Sequence, residues 1–255
     1  MPFENPLRVA WREGRVVRGA WCASPSSVVA EAVAAVGYDY VCVDLQHGAV
    51  DYPDAVPMMQ AISGQGAAPI VRVPSNELAT IGKALDAGAL GVVVPLVSTP
   101  DDAARAVAAC RYPPLGGRSY GPVRASTAVG SRDTQDLDQV VVAVMVETQE
   151  GLDNVEDIAA TPGLDAIYVG PADLSLALGL PPAYEHEESS HVEAIERIRR
   201  ACEKAGIVPG IHCVGGEMAA RREQQGFRMV TLVNDLALVR SGAASELQTL
   251  RELAG

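Results

Sequence analysis

The sequence predicts one (β/α)8 barrel, and three observations carry that reading. Eight short apolar runs, rich in Val and Ile and without strict alternation, recur along the 255 residues, as parallel strands buried on both faces do. Helix-like segments fill the gaps between them, giving repeated βα units. The length suits eight such units in one α/β domain. No linker and no fixed-period repeat interrupts the pattern, so residues 1–255 read as a single domain.

The expected strands are Val17–Ala23, Tyr40–Asp44, Pro69–Arg72, Gly91–Pro95, Val141–Val146, Ala166–Gly170, Val208–Ile211 and Met229–Val233. After the first, Ser26 or Ser27 caps a helix that runs to Val36 and stops at Gly37. Pro100-Asp101-Asp102 opens another, with Pro and two acids in its first turn. The segment from His191 to Lys204 reads as an amphipathic helix ending at Gly206. Arg111 to Asp133 is the longest irregular stretch, rich in Gly, Pro and Ser. A loop that long in a compact domain is a functional candidate, and substrate specificity is assigned to it together with neighbouring-subunit contacts and positions not placed by the sequence.

Composition narrows the function. Acids outnumber bases 32 to 20, giving a net charge of −12. That balance argues against a nucleic-acid or anionic-membrane surface. No apolar run reaches the roughly 20 residues that span a bilayer, and residues 1–10 lack a secretory pattern. Cys22, Cys42, Cys110, Cys202 and Cys213 form no C-x-x-C pair and read as buried reduced thiols. A cytoplasmic protein is expected. Lys83 and Lys204 are the only lysines, and both read as helical, which disfavours a Schiff-base mechanism.

Barrel active sites lie at the C-terminal ends of the strands. Strand 2 leads into Asp44-Leu45-Gln46-His47-Gly48 and strand 3 ends at Arg72. Strand 5 leads to Glu147, strand 6 to Gly170-Pro171-Ala172-Asp173, strand 7 to His212 and strand 8 to Asn234-Asp235. Glu147 and Asp173 are two carboxylates on adjacent strands. They suit a hard divalent cation, or they are solvated loop acids, Asp173 also being placed to cap a short helix. Arg72 is a fixed forked cation for an enolate or alkoxide oxygen, or an ion pair closing the rim. His47 is a base candidate with Asp44 or Asp86 as partner. His186 and His191 read as solvated surface, and His212 as a possible site residue.

These residues fall in motifs: Val43-Asp44-Leu45-Gln46-His47-Gly48, Val71-Arg72-Val73-Pro74, Lys83-Ala84-Leu85-Asp86-Ala87-Gly88-Ala89, Tyr112-Pro113-Pro114, Gly117-Arg118, Val146-Glu147-Thr148 and Val169-Gly170-Pro171-Ala172-Asp173-Leu174-Ser175. In this order the set resembles the metal-dependent pyruvate aldolases of the HpcH/HpaI family, over roughly residues 15 to 240. The resemblance implies a modified (β/α)8 barrel of the phosphoenolpyruvate/pyruvate type. It also implies a homo-oligomer, hexamer or trimer, that exchanges a C-terminal helix between subunits. The implied reaction is reversible aldol cleavage of 4-hydroxy-2-oxo acids to pyruvate, or a close 2-oxo acid, and an aldehyde.

Roles follow from the same resemblance. His47 is the base and Asp86 its partner, with Asp44 supporting the His47 loop. Arg72 stabilises charge on the keto oxygen. Glu147 and Asp173 hold Mg²⁺, Mn²⁺ or Co²⁺. The turn at Gly170, with the Ala172 and Asp173 amides, binds the pyruvate carboxylate. Two positions depart from the family pattern: Gln46 replaces a Glu, and Met145 replaces a substrate-contacting Gln. The rival expectations are an acyl-CoA lyase of the citrate-lyase β and malyl-CoA lyase type, and a non-catalytic keto-acid-binding barrel.

Overall fold

A computed structural model describes residues 2–254. The strands are β1 (Val17–Cys22), β2 (Tyr40–Asp44), β3 (Ala68–Arg72), β4 (Gly91–Val94), β5 (Val141–Val146), β6 (Ala166–Val169), β7 (Val208–His212) and β8 (Met229–Asn234). They close a parallel barrel in chain order, β8 pairing with β1. All eight expected strands are present, with ends shifted by at most a residue or so.

The first five helices are α1 (Pro6–Arg12), α2 (Ser27–Ala34), α3 (Tyr52–Gly64), α4 (Leu78–Asp86) and α5 (Pro100–Ala109). Four short ones follow: α6 (Ala125–Val129), α7 (Thr134–Leu137), α8 (Gln149–Asp153) and α9 (Val155–Ala159). The last four are α10 (Pro171–Ala177), α11 (Ser189–Ala205), α12 (Gly216–Gln224) and α13 (Asp235–Ala254).

The strands are Val-rich because both of their faces are buried. Along β5 all six residues are covered. One face joins the barrel interior with Trp21, Tyr40, Ile70, Met145 and Tyr168. The other packs under the helices with Val41, Val71, Val92 and Val144. Gly19 makes the interior possible, since a Cβ there would lie 2.2 Å from the Tyr40 ring. Leu7 and Ala10 of α1 join the interior cluster and close its N-terminal end.

Local signals set the helix boundaries. The Ser26 side chain caps α2 at Val29 N. That helix ends at Ala34, two residues short of the expected Val36, and Gly37 turns the chain with φ 102°. Thr99 and Asp102 form a reciprocal capping box on α5, which satisfies donors that the first turn leaves free. Gly206 ends α11 in the left-handed region at φ 73°. All five cysteines are free and buried. Among the described residues no helix is long and apolar enough to cross a membrane.

The barrel's polarity places two expected site elements away from the C-terminal rim of this chain. Helix α4 runs from the C-terminal rim back to the N-terminal face, and Asp86 is its last residue. Leu90 N, just beyond, bonds Pro69 O near the start of β3. Asp86 and His47 therefore sit at opposite ends of one protomer. The same reasoning moves the long loop. Residues 111–133 join α5 to β5, so they lie on the N-terminal face. There Arg118 donates to Asp86 (2.7 Å) and Arg124 to Ala87 O (2.9 Å). Within one protomer this loop cannot select the substrate.

At the other end, the first loop is fastened to the last helix. Buried Asp235 accepts from Ala23 N (2.9 Å), Ser24 N (3.1 Å), Leu236 N (2.8 Å) and the Ser24 hydroxyl. Ala49 N in turn bonds Ala23 O at 2.8 Å, so this latch also braces the segment after His47. Asp235→Ala strands several donors and is expected to cost about 3 kcal/mol. Urea unfolding of the variant measures it, and a midpoint equal to wild type contradicts the latch.

Candidate active site

The C-terminal rim is organised by a buried ion pair. Asp44 ends β2, Arg72 ends β3, and the two are register neighbours. Arg72 Nε donates to Asp44 Oδ1 at 2.9 Å and Nη2 to Oδ2 at 2.6 Å. Both side chains are nearly fully buried. Burial alone would raise the Asp44 carboxyl. The Arg72 hydrogen bonds and charge, with the His47 and Gln46 amides, hold it below the usual carboxylate range. Of the two sequence readings of Arg72, ion pair or free cation, the geometry realises the first and leaves a donor for the second. Nη1 has no partner among the described residues, and the guanidinium lies 4.5 Å over the Trp21 ring.

Asp44 also shapes the following turn. Its Oδ1 accepts from Gln46 N (3.1 Å) and His47 N (3.2 Å). This fixes the backbone that carries His47, whose side chain is exposed. Gly48 is required there because a Cβ would lie 2.3 Å from Asp44 O.

Glu147 follows β5 and is 3% exposed. Its Oε1 accepts from Leu96 N at 3.0 Å, while Oε2 is buried with no partner. Burial pushes this carboxyl up to about 7, opposed by the Leu96 amide and Arg72 and assisted by the charge of Asp173. Leu96 is the one non-glycine residue with positive φ among those described, at 55°. That sparsely populated conformation aims its amide at Glu147. Sequence reading misses Leu96, and no local pattern announces it.

Gly170 completes this wall. A Cβ there would lie 2.4 Å from Glu147 Oε2 and 2.9 Å from Met145 Cε. Only glycine lets the β6 turn approach the carboxyl. Met145 is buried on β5, where it fills the barrel top with apolar bulk. After Gly170 the chain enters α10, whose first-turn residues Ala172 and Asp173 are more open, Asp173 being the acid of that turn.

The histidines divide three ways. His191 is 1% exposed, not solvated surface as expected, and its ring donates to Pro171 O at 3.1 Å. It thus anchors α10 from α11. His186 bonds Pro181 O on the periphery. His212, at the end of β7, sits edge-on to Trp21 at 4.9 Å and stacked on Tyr184 at 5.6 Å. Lys83 and Lys204 lie on outer helices, Lys83 over the Tyr52 ring, so neither reaches the rim.

The residues brought to one rim are thus Asp44, His47, Arg72, Met145, Glu147, Gly170, Ala172, Asp173 and His212, while Asp86 is not among them. A closed parallel barrel that gathers a histidine, a held cation and a buried carboxyl at its C-terminal mouth has the architecture of an enzyme active site. The comparisons narrow the class. The chain matches the HpcH/HpaI aldolase/citrate lyase family over residues 18–241, and it belongs to that family.

Similar proteins agree with this. A hydroxypyruvate/pyruvate aldolase of Rhizorhabdus wittichii is 38% identical, covering 98% of this chain and 100% of its own. A 5-keto-4-deoxy-D-glucarate aldolase of Klebsiella pneumoniae is 35% identical, covering 94% of each chain. A crystal structure of an HpcH/HpaI aldolase/citrate lyase family protein from Burkholderia cenocepacia superposes with a TM-score of 0.88 at 36% identity. That match covers 97% of this chain and 99% of the other.

Proposed function

We propose that the protein is a divalent-metal-dependent aldolase that reversibly cleaves 4-hydroxy-2-oxo acids to pyruvate, or a close 2-oxo acid, and an aldehyde. The observation that carries the reading is Glu147. Its carboxyl is buried, one oxygen lacks any partner, and glycine alone fits the facing turn. A buried carboxyl in that state favours a cation beside it. With Asp173 it forms an all-oxygen donor pair suited to Mg²⁺, Mn²⁺ or Co²⁺, substrate and water completing the shell. A divalent ion held there would supply Lewis-acid chemistry to the substrate.

The chain's own residues do the rest. The free N–H groups at Ala172 and Asp173 offer donors to the substrate carboxylate. His47 takes the C4 hydroxyl proton. The C3–C4 bond then breaks, its electron pair passing toward the keto oxygen as the aldehyde leaves. Arg72 Nη1 donates to that oxygen as enolate charge develops. Asp44 holds Arg72 in place and loses no proton. The proton held on His47 returns, directly or through water, to C3, which gives pyruvate and restores the base. His47→Ala is expected to lower kcat for cleavage of a 4-hydroxy-2-oxo acid about 100-fold. Pyruvate release, followed with lactate dehydrogenase, checks it, and an unchanged kcat removes His47 from the role.

The assembly belongs to the same reading. Asp86 cannot orient His47 within one protomer, so the implied pairing needs a second copy. Helix α13 exposes Leu236, Leu238, Val239, Leu247, Leu250 and Leu253, and we assign this face to another subunit of a homo-oligomer.

A further inference from the structure

A chain of hydroxyls runs through the barrel interior to His212. Tyr40 Oη lies 3.0 Å from Thr231 Oγ1, which also bonds Tyr168 Oη. Tyr168 Oη lies 3.4 Å from His212 Nδ1. Tyr40, Tyr168 and Thr231 are fully buried, so each of their protons must be used within the chain.

Proton counting fixes the direction. There are three hydroxyl protons and three links. The hydrogen bond of good geometry open to the Tyr40 proton is the one to Thr231. The Thr231 proton must then go to Tyr168, and the Tyr168 proton to His212. Any other order leaves a buried O–H without an acceptor, at about 1–3 kcal/mol. Nδ1 is therefore an acceptor, and the neutral ring carries its hydrogen on Nε2. The ring is neutral because burial, and then the charge of Arg72, push it down to about 4.

Nε2 has no hydrogen-bond partner among the described residues, and His212 is only partly buried. The residue stands at the C-terminal end of β7, beside the strand that leads to Gly170. Trp21 and Tyr184 pin the ring from two sides. The hydroxyl chain ends blind at Tyr40, so it cannot resupply a proton, and the imidazole serves as a fixed donor rather than an acid. A neutral N–H between aromatic walls suits a neutral oxygen. The one cation felt at this ring, Arg72, is already paired with Asp44, so a carboxylate here would lack a full counter-charge for its lost hydration.

We propose that His212 is a specificity-determining residue whose Nε2–H donates to a hydroxyl oxygen of the substrate. This rests on the aldolase reading above. The hydroxyl belongs either to the 2-oxo acid or to the aldehyde, and two assay arms separate them. One compares hydroxypyruvate with pyruvate against a fixed aldehyde. The other compares lactaldehyde with propionaldehyde against a fixed 2-oxo acid. His212→Leu is expected to lower the hydroxylated-to-plain kcat/KM ratio about tenfold in one arm, and that arm identifies the source. His212→Gln, which returns an N–H donor, is expected to restore most of the ratio.

Ratios unchanged in both arms overturn the assignment. So does ¹⁵N NMR of the wild-type protein that finds the His212 hydrogen on Nδ1. Wild-type protein that turns over none of the four pairs fails differently, because it overturns the aldolase reading together with this one.

Discussion

Glu147→Gln is expected to abolish most aldolase activity and at the same time stabilise the metal-free protein at high pH. Activity falls because the variant removes one of two carboxylates proposed to hold the metal. Losing several kcal/mol of charge stabilisation corresponds to about 10³- to 10⁴-fold in kcat/KM. Stability moves the other way. Burial raises the Glu147 carboxyl from an ordinary 4.5 to about 7. Between those values the folded protein keeps a proton that the unfolded chain releases. The carboxyl's contribution is complete below about pH 4.5 and is lost as pH rises through about 7. Glutamine keeps the Leu96 hydrogen bond and never ionises. The variant should therefore unfold at a higher temperature than wild type at pH 8 in EDTA, with the gap closing by pH 5. A variant that is less stable at both pH values contradicts the buried-carboxyl account.

The second large effect is at the ion pair. Asp44→Ala is expected to cost about 3–5 kcal/mol, because it leaves the buried Arg72 guanidinium without its counter-charge. It also frees the Gln46 and His47 amides that Asp44 holds. Activity should drop about 10³-fold in protein that still folds, since both the proposed base and the proposed enolate donor lose their support. Exchanging both partners for apolar residues, Asp44→Leu with Arg72→Met, should recover most of the stability and none of the activity. Urea unfolding and kcat/KM on the same preparations separate these outcomes. A double variant as unstable as Asp44→Ala means that the pair is not the source of the cost.

Both effects trace to residues that are legible in the sequence. Parallel strands buried on both faces leave apolar runs with sharp polar stops, and Asp44, Arg72, Glu147 and Gly170 are those stops. What the runs do not carry is barrel polarity for residues between strands. Asp86 looks functional by its motif and the 111–133 loop by its length and composition, yet an element that follows a helix must lie on the far face from one that follows a strand. Counting element order along the chain is enough to place them. His191 reads as surface because its Glu-rich neighbours suggest solvent, whereas one face of α11 packs inward and carries His191, Ala194, Ile195 and Ile198. Leu96 and the Tyr40–Thr231–Tyr168 chain are invisible in the sequence for a different reason. They depend on a backbone angle and on contacts across the barrel between β2, β6 and β8, and neither leaves a local pattern.

The central claim is that this rim generates the enolate of pyruvate, and proton exchange tests it without any choice of aldehyde. The protein is incubated with pyruvate in D₂O, first with Mg²⁺ or Mn²⁺ and then with EDTA, while the methyl signal is followed by NMR. The account predicts deuterium entry into the methyl group with the metal and none with EDTA. It also predicts loss of exchange in Glu147→Gln. A methyl signal that stays constant with every metal would contradict enolate formation at this site, and cleavage of acyl-CoA thioesters would be the reaction to assay next.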